Sequence, residues 1–257
     1  MLRLKAPGSG TTEHVRLLPD AALAPWVAHF WRVRWDLPEP TTTEVLPHPC
    51  VHIVIEQGTS IRAEITGVPT GRFVRTLAGR GQAFGIKFRP AAFAPLLGAP
   101  MATLTDRVIP IEAVFGADGG ALARAIAACD AFTEQIDIAE RFLGPRLPAL
   151  PAAAAAMRDL VERIASDRAL LRAEDVAAAA GIELRSLQRG FRRYVGVGPK
   201  WVIQRHRLHE AAGQLAQRPT TPLAALAAEL GYADQAHFAR DFSRVIGRTP
   251  RKFAASR

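Results

Sequence analysis

Apolar positions in the last third of the chain recur at helical spacing, and they do so twice. In GYADQAHFARDFSRVIGRTP, Gly231 to Pro250, the residues Phe238, Phe242 and Ile246 (or Val245) fall on one helical face. Gln235, His237, Arg240, Ser243 and Arg244 fall elsewhere. Asp234 suits the N-cap of this helix and Gly247 its stop. Upstream, TPLAALAAEL (Thr221 to Leu230) predicts a first helix, with Pro222 in its first turn. Two short helices joined by a glycine turn, the second with polar and basic side chains outward, describe a helix-turn-helix. EDVAAAAGIELRSLQRGFRRYVGVGP, Glu174 to Pro199, has the same layout. Leu187 matches Phe238, Phe191 matches Phe242, Arg189 matches Arg240 and Gly196 matches Gly247, each pair 51 residues apart. The unit is duplicated.

The rest of the C-terminal pattern serves these two units. Met157 to Leu170 predicts an amphipathic helix behind the first motif. The first recognition helix spans about Leu184 to Tyr194, with Leu187, Phe191 and Tyr194 inward and Arg185, Ser186, Gln188, Arg189 and Arg192 outward. Pro199 to about Ala216 reads as one long helix between the motifs. Glu183 is a weak N-cap, and Gly190 inside the helix should cost about 1 kcal/mol relative to alanine.

The N-terminal pattern has shorter repeats. Trp26 to Trp35 is aromatic and β-branched, although Leu23 to Trp31 could also form a short helix. Val45 to Gly58 alternates at Val51, Ile53 and Ile55. Ser60 to Thr66, Phe73 to Leu77 and Ala83 to Phe88 are strand-length runs bounded by Gly and Pro. Helical stretches follow at Ala91–Leu97, Ile111–Phe115, Ala121–Cys129 and Thr133–Leu143. The predicted class is α+β with two domains: a small β-barrel or sandwich with trailing helices, and an all-α domain with two helix-turn-helix motifs joined by a linker helix. The expected boundaries are 1–146, a Pro/Ala-rich linker at 147–156, and 157–257.

Charge sharpens this division. The chain of 257 residues has net charge +9. Met157 to Arg257 holds 18 Lys and Arg against 10 Asp and Glu, leaving the first part near neutral. That is the footprint of a nucleic-acid-binding domain beside a neutral partner. No apolar run approaches a membrane span, and MLRLKAPGSGTTEH has no apolar core of a secretory signal.

These motifs resemble the AraC/XylS family of bacterial transcription regulators over roughly the last 90 residues. In the N-terminal part, the Trp26/Trp31 segment, LPHPCVHIVI, FGIKFRPAAFAPLLGAP and LTDRVIPIEAVFG resemble the regulatory domain of a subset of that family. The resemblance implies both recognition helices in the major groove of promoter DNA, and a β-rich domain that senses an effector or pairs subunits. It also implies RNA polymerase as a partner and a cytoplasmic location. Arginine can bond guanine bidentately, so Arg185 and Arg189, one turn apart, are base-reading candidates. Arg192, Arg193 and Gln188 suit phosphates. In the second motif Gln235, Ala236 and Arg240 align with base-contacting positions, and His237, Ser243 and Arg244 suit phosphates. A homodimer and a small-molecule effector are possible partners.

Other chemistry is weaker. His48, Cys50 and His52 would share a face if they lay on one strand, yet Pro47 and Pro49 disturb it, so no metal and no cofactor are assigned. Trp26, Phe30, Trp31 and Trp35 suit a core better than a ligand pocket. Arg89 could meet an acidic ligand, with a structural role as the default. Some relatives in the family carry DNA-repair alkyl transfer, but Cys50 and Cys129 lack its signature. No Ser/His/Asp set, phosphate loop or carboxylate pair stands out, so no enzyme activity is expected.

Overall fold

The structure is a computed structural model and describes residues 3–4, 10–45 and 48–255. Residues 46–47, where Pro47 was assigned a strand-disturbing role, lie outside the described residues, as do most of the first nine.

The N-terminal part is built on one antiparallel sheet of seven strands. They are β1 (Arg3–Leu4), β2 (Thr11–Leu17), β3 (Val27–Val45), β4 (His52–Gln57), β5 (Ile61–Thr66), β6 (Phe73–Phe88) and β7 (Val108–Pro110). The order is β1-β3-β6-β4-β5-β7, with β2 also on β3. The alternation seen in the sequence is real: Ile53 and Ile55 of β4 are buried and their neighbours half-buried. Strand β3 settles the ambiguity at Leu23–Trp31, because Ala21–Trp26 forms turns and Val27 onward is extended.

Strands β3 and β6 are much longer than expected, 19 and 16 residues. Phe73–Leu77 and Ala83–Phe88 are one strand, joined through Gly79, whose φ is 59°. The glycines that look like breakers make room for indoles. Trp31 pairs with Gly85 and Trp35 with Gly81 across the two strands. A β-carbon on either glycine would overlap the facing ring. Trp26, Phe30 and Trp35 are buried, as expected of core residues.

Helices close one side of the sheet. They are α1 (Ala94–Leu97), α2 (Glu112–Ala127) and α3 (Phe132–Leu143). Helix α2 joins two stretches the sequence separates, bending at Gly116, whose φ is 58°. Leu122, Ala123 and Ile126 of α2 and Ile136, Ala139 and Leu143 of α3 pack in one cluster with Phe30, Ile53 and Ile86 of the sheet.

The C-terminal part is helical: α4 (Ala152–Ser166), α5 (Ala173–Ala180), α6 (Leu184–Gly190), α7 (Pro199–Gln217), α8 (Leu223–Glu229), α9 (Gln235–Ile246) and α10 (Pro250–Ala255). Met157, Val161 and Ile164 of α4 are buried behind the first motif. Val68 and Ala91 of the N-terminal part join that same cluster. Arg89 is structural: its Nε donates to Ala24 O at 2.6 Å and its Nη1 to Glu162 Oε1 of α4 at 2.8 Å.

Gly85→Ala should force Trp31 out of its seat and destabilise the protein by about 1–3 kcal/mol. Urea denaturation of the full chain checks this.

Candidate nucleic-acid interface

Each motif buries one edge of its second helix. In α6 and the turn after it, Leu187, Phe191 and Val195 are buried. In α9 the buried residues are Phe238, Asp241, Phe242, Val245 and Ile246. Phe238 and Phe242 stack edge to face at 5.6 Å, and Phe242 meets Phe253 of α10 at 5.6 Å. What remains outside is the set expected from spacing. Arg185, Gln188, Arg189 and Arg192 are exposed, as are Gln235, Ala236, His237, Arg240 and Arg244. Ser186 and Ser243 are half-buried.

The two recognition helices begin differently. Asp234 caps α9: its Oδ1 accepts from His237 N at 2.7 Å. The backbone N–H groups of His237 and Ala236 hold the Asp234 carboxyl below its ordinary range. Glu183, at the start of α6, makes no side-chain cap bond. The first helix also ends differently. Beyond Gly190 the coil widens, so that Gly196 N donates to Phe191 O, five residues back, at 2.8 Å. Tyr194 is therefore only half-buried, and it touches both the sheet cluster and the first-motif cluster. In the second motif Gly247 N donates to Ser243 O, four residues back, at 2.9 Å.

Gly190 has a packing reason that the sequence does not reveal. A β-carbon there would lie 2.7 Å from Met157 Sδ. The glycine lets α4 approach the recognition helix closely.

Polar partners differ among the predicted contacts. Arg189 Nη2 donates to Ser186 Oγ at 3.3 Å, one turn back. Ser243 Oγ donates to Ala239 O at 2.6 Å, so its hydroxyl is engaged within the helix. Asp241 is a hub that the spacing i, i+3 and i, i+4 could have flagged but did not. Its carboxylate meets Arg244 Nη2 at 3.0 Å and His237 Nε2 at 3.3 Å. It also accepts from Gln204 Nε2 of α7. The basic residues Arg248, Arg251 and Lys252 at α10, also passed over, are exposed beside the second motif.

Helix α7 holds the motifs together. Its 19 residues span about 28 Å at 1.5 Å per residue. Val202 and Ile203 pack into the first-motif cluster, and Leu208, Ala211, Ala212 and Leu215 into the second. Buried Arg207 donates through Nη2 to Asp167 O at 2.8 Å and Leu170 O at 3.3 Å. Its Nη1 pairs with Glu210 at 3.3 Å. Glu210 also binds Arg168, which reaches Glu229 of α8 at 3.3 Å. The loop that leads into the first motif and the first helix of the second are thus tied to one rod.

The metal candidates do not share a strand. Only His52 lies in β4, and its Nδ1 accepts from Trp31 Nε1 at 3.3 Å. Among the described residues, no group of three or more His, Cys, Asp or Glu is placed to hold a metal ion. Among them, too, no helix is long and apolar enough to cross a membrane.

Residues 176–256 match the family model described as "Helix-turn-helix domain". Residues 15–110 match one described as "Domain of unknown function (DUF6597)". No curated protein matches the chain. Among solved structures, a transcriptional regulator with an AraC-type DNA-binding domain from Chromobacterium violaceum is 24% identical over 39% of this chain and 90% of its own, with TM-score 0.36. The C-terminal domain of AraT, a response regulator from Geobacillus stearothermophilus, is 20% identical over 42% of this chain and 89% of its own, with TM-score 0.38. ToxT from Vibrio cholerae O395 is 10% identical over 96% of this chain and 97% of its own, with TM-score 0.39. Those scores are low, so the assignment rests on the family match and the helical geometry. Residues 176–256 are a helix-turn-helix domain.

Gly190→Ala alone should fail to gain the roughly 1 kcal/mol of helix propensity, because Met157 must move. In a Met157→Ala background the gain should appear, and urea denaturation of the four proteins measures the coupling. Asp234→Ala should lower the melting temperature above pH about 4. Because its folded pKa is depressed, that difference should fade as pH falls through the folded value, which melting curves at several pH values will show.

Proposed function

We propose that this protein is a sequence-specific regulator of transcription that reads promoter DNA with both recognition helices. The observation that supports this best is the pair of exposed basic faces, Arg185/Arg189 and Gln235/Arg240, carried by helices tied to one rod. In this reading Arg185 and Arg189 read bases from the first helix, while Gln235, Ala236 and Arg240 read them from the second. Ser186, Gln188, Arg192, His237 and Arg244 lie on phosphates. Ser243, the remaining phosphate candidate, would release its bond to Ala239 O in order to donate to one. A rod of about 28 Å against a DNA turn of about 34 Å asks the duplex to bend, or one motif to engage less fully.

The division of labour follows the charge. Residues 1–146 form a regulatory domain that senses a signal or pairs subunits as a homodimer, 147–156 link it, and 157–257 bind DNA. RNA polymerase would be the downstream partner, in the cytoplasm. The protein works as a regulator and not as an enzyme. Burial pushes the Cys50 thiol up, away from the thiolate that alkyl transfer needs. A second reading, a metal- or small-molecule sensor with DNA binding as its output, differs only in what the N-terminal domain receives.

Arg189→Ala and Arg240→Ala should each weaken operator binding and relax preference at one base pair by about 1–3 kcal/mol. Binding to selected and mismatched duplexes measures both effects. Unchanged affinity and preference in both variants would remove these residues from the interface. The logarithm of the wild-type chain's binding constant should also fall linearly with log salt, by about one unit of slope per phosphate contact.

A further inference from the structure

The two motifs also meet directly, at the loop 167–172 that leads from α4 into the first of them. Arg168 Nη1 pairs with Glu229 Oε1, at the end of α8, at 3.3 Å, and its Nη2 pairs with Glu210 Oε1 of α7. Leu171 covers the turn of the second motif. A β-carbon on Gly231, whose φ is 76°, would lie 3.2 Å from Leu171 Cδ1. Helix α7 joins this meeting point at its middle. Arg207, which donates to Asp167 O and Leu170 O, and Glu210 sit where the rod passes from the first cluster, at Ile203, to the second, at Leu208 and Ala211.

The loop is ordered before it reaches across. Asp167 Oδ1 accepts from Ala169 N at 2.9 Å. Asp175 Oδ2 accepts from Leu171 N at 3.2 Å and from Arg172 N at 2.8 Å. Leu170 is buried in the first-motif cluster. An isolated exposed ion pair contributes little, partly because two long side chains must be ordered to make it. Here one arginine on a fixed loop meets two carboxylates, so that cost is shared. Apolar packing drives the second motif onto α7 but is non-directional. The Arg168 pairs and the Leu171 contact add direction.

Resting on the reading that both recognition helices engage one duplex, we propose that loop 167–172 is a clasp that sets the permitted distance between the two half-sites, with Arg168 as its positioning residue. Each base pair inserted between half-sites moves the second by about 3.4 Å along the axis and about 35° around it. Clasped motifs cannot follow both displacements, so the chain then binds through one motif alone. With the clasp broken, the second motif shifts on α7 and recovers part of its contact.

The test is binding of the full chain to a selected duplex and to versions with one base pair added or removed between the half-sites. The ratio of affinities at native and altered spacing is the measure, because a general change in charge cancels in it. For the wild-type chain the ratio should be about 100-fold, the loss expected when linked modules no longer engage together. In Arg168→Glu, which sets a third carboxylate against Glu210 and Glu229, it should fall to about tenfold. Adding Glu229→Arg to that variant should bring it back toward the wild-type value. Leu171→Ala, which removes no ion-pairing group, should also lower it, and decides the matter if the charge reversal does not fold. Variants that keep a strict wild-type ratio, or a relaxed ratio that Glu229→Arg fails to restore, would overturn the clasp and leave the two-helix reading standing. A wild-type chain indifferent to spacing would overturn both. Affinity lost equally at every spacing, with a salt slope lower by about one, would make Arg168 a phosphate contact and also overturn the clasp.

Discussion

The structure depends on one constraint: each recognition helix must bury a narrow aromatic or aliphatic edge to be a helix at all. Helices α6 and α9, of 7 and 12 residues, are too short to persist alone in water. Leu187 and Phe191 in one, and Phe238 and Phe242 in the other, anchor them in clusters that each include part of α7. Burying that edge fixes the rotation of each helix. The arginines then have no place but the outside. The same contacts that stabilise the fold thus aim the basic side chains, which is how about two-fifths of the chain can carry a net charge of +8 and remain compact.

A second constraint sits at the boundary between the two parts. The N-terminal part touches both motifs at the ends of their recognition helices. Thr105 Oγ1 donates to Gly196 O at 2.7 Å, and the Arg72 side chain packs over Gly247. Trp201 Nε1 of α7 donates to Thr70 O at 3.4 Å. The supporting loop is held by Asp106, a non-glycine residue at φ 57°, whose carboxylate accepts from Thr70 N and Thr70 Oγ1, both at 2.6 Å. Ala91, at φ 64°, lies in the first-motif cluster. The two non-glycine residues with left-handed backbone among those described therefore both belong to this boundary, where packing over-determines a conformation each would otherwise avoid.

The sequence was most readable where one local period decides the outcome. Periodicity placed the duplicated motifs and the outward arginines, and the residue type at each helix start gave the Asp234 cap and the weak one at Glu183. It misread residues whose role is set by a distant partner. Gly79, Gly81 and Gly85 look like strand breaks, yet two of them accommodate Trp35 and Trp31 from a strand some 45–55 residues earlier. Gly190 looks like a weakness in a helix and is a close contact with Met157. His48, Cys50 and His52 would share a face only on a continuous strand, and the strand begins at His52, beyond Pro49. The widened turn at Phe191–Val195 has no signature in the local residues, since the matching segment of α9 ends as an ordinary helix. Two arms of the Asp241 hub were within reach of local spacing, and only the third, Gln204 of α7, was not.

The central claim is that one rod presents two basic helices to the same side of a duplex. Hydroxyl-radical and methylation protection on a selected binding site tests it most directly. The account predicts two protected major-groove segments on one face, centred about one helical turn apart. Protection of a single segment, or of segments on opposite faces, would contradict it.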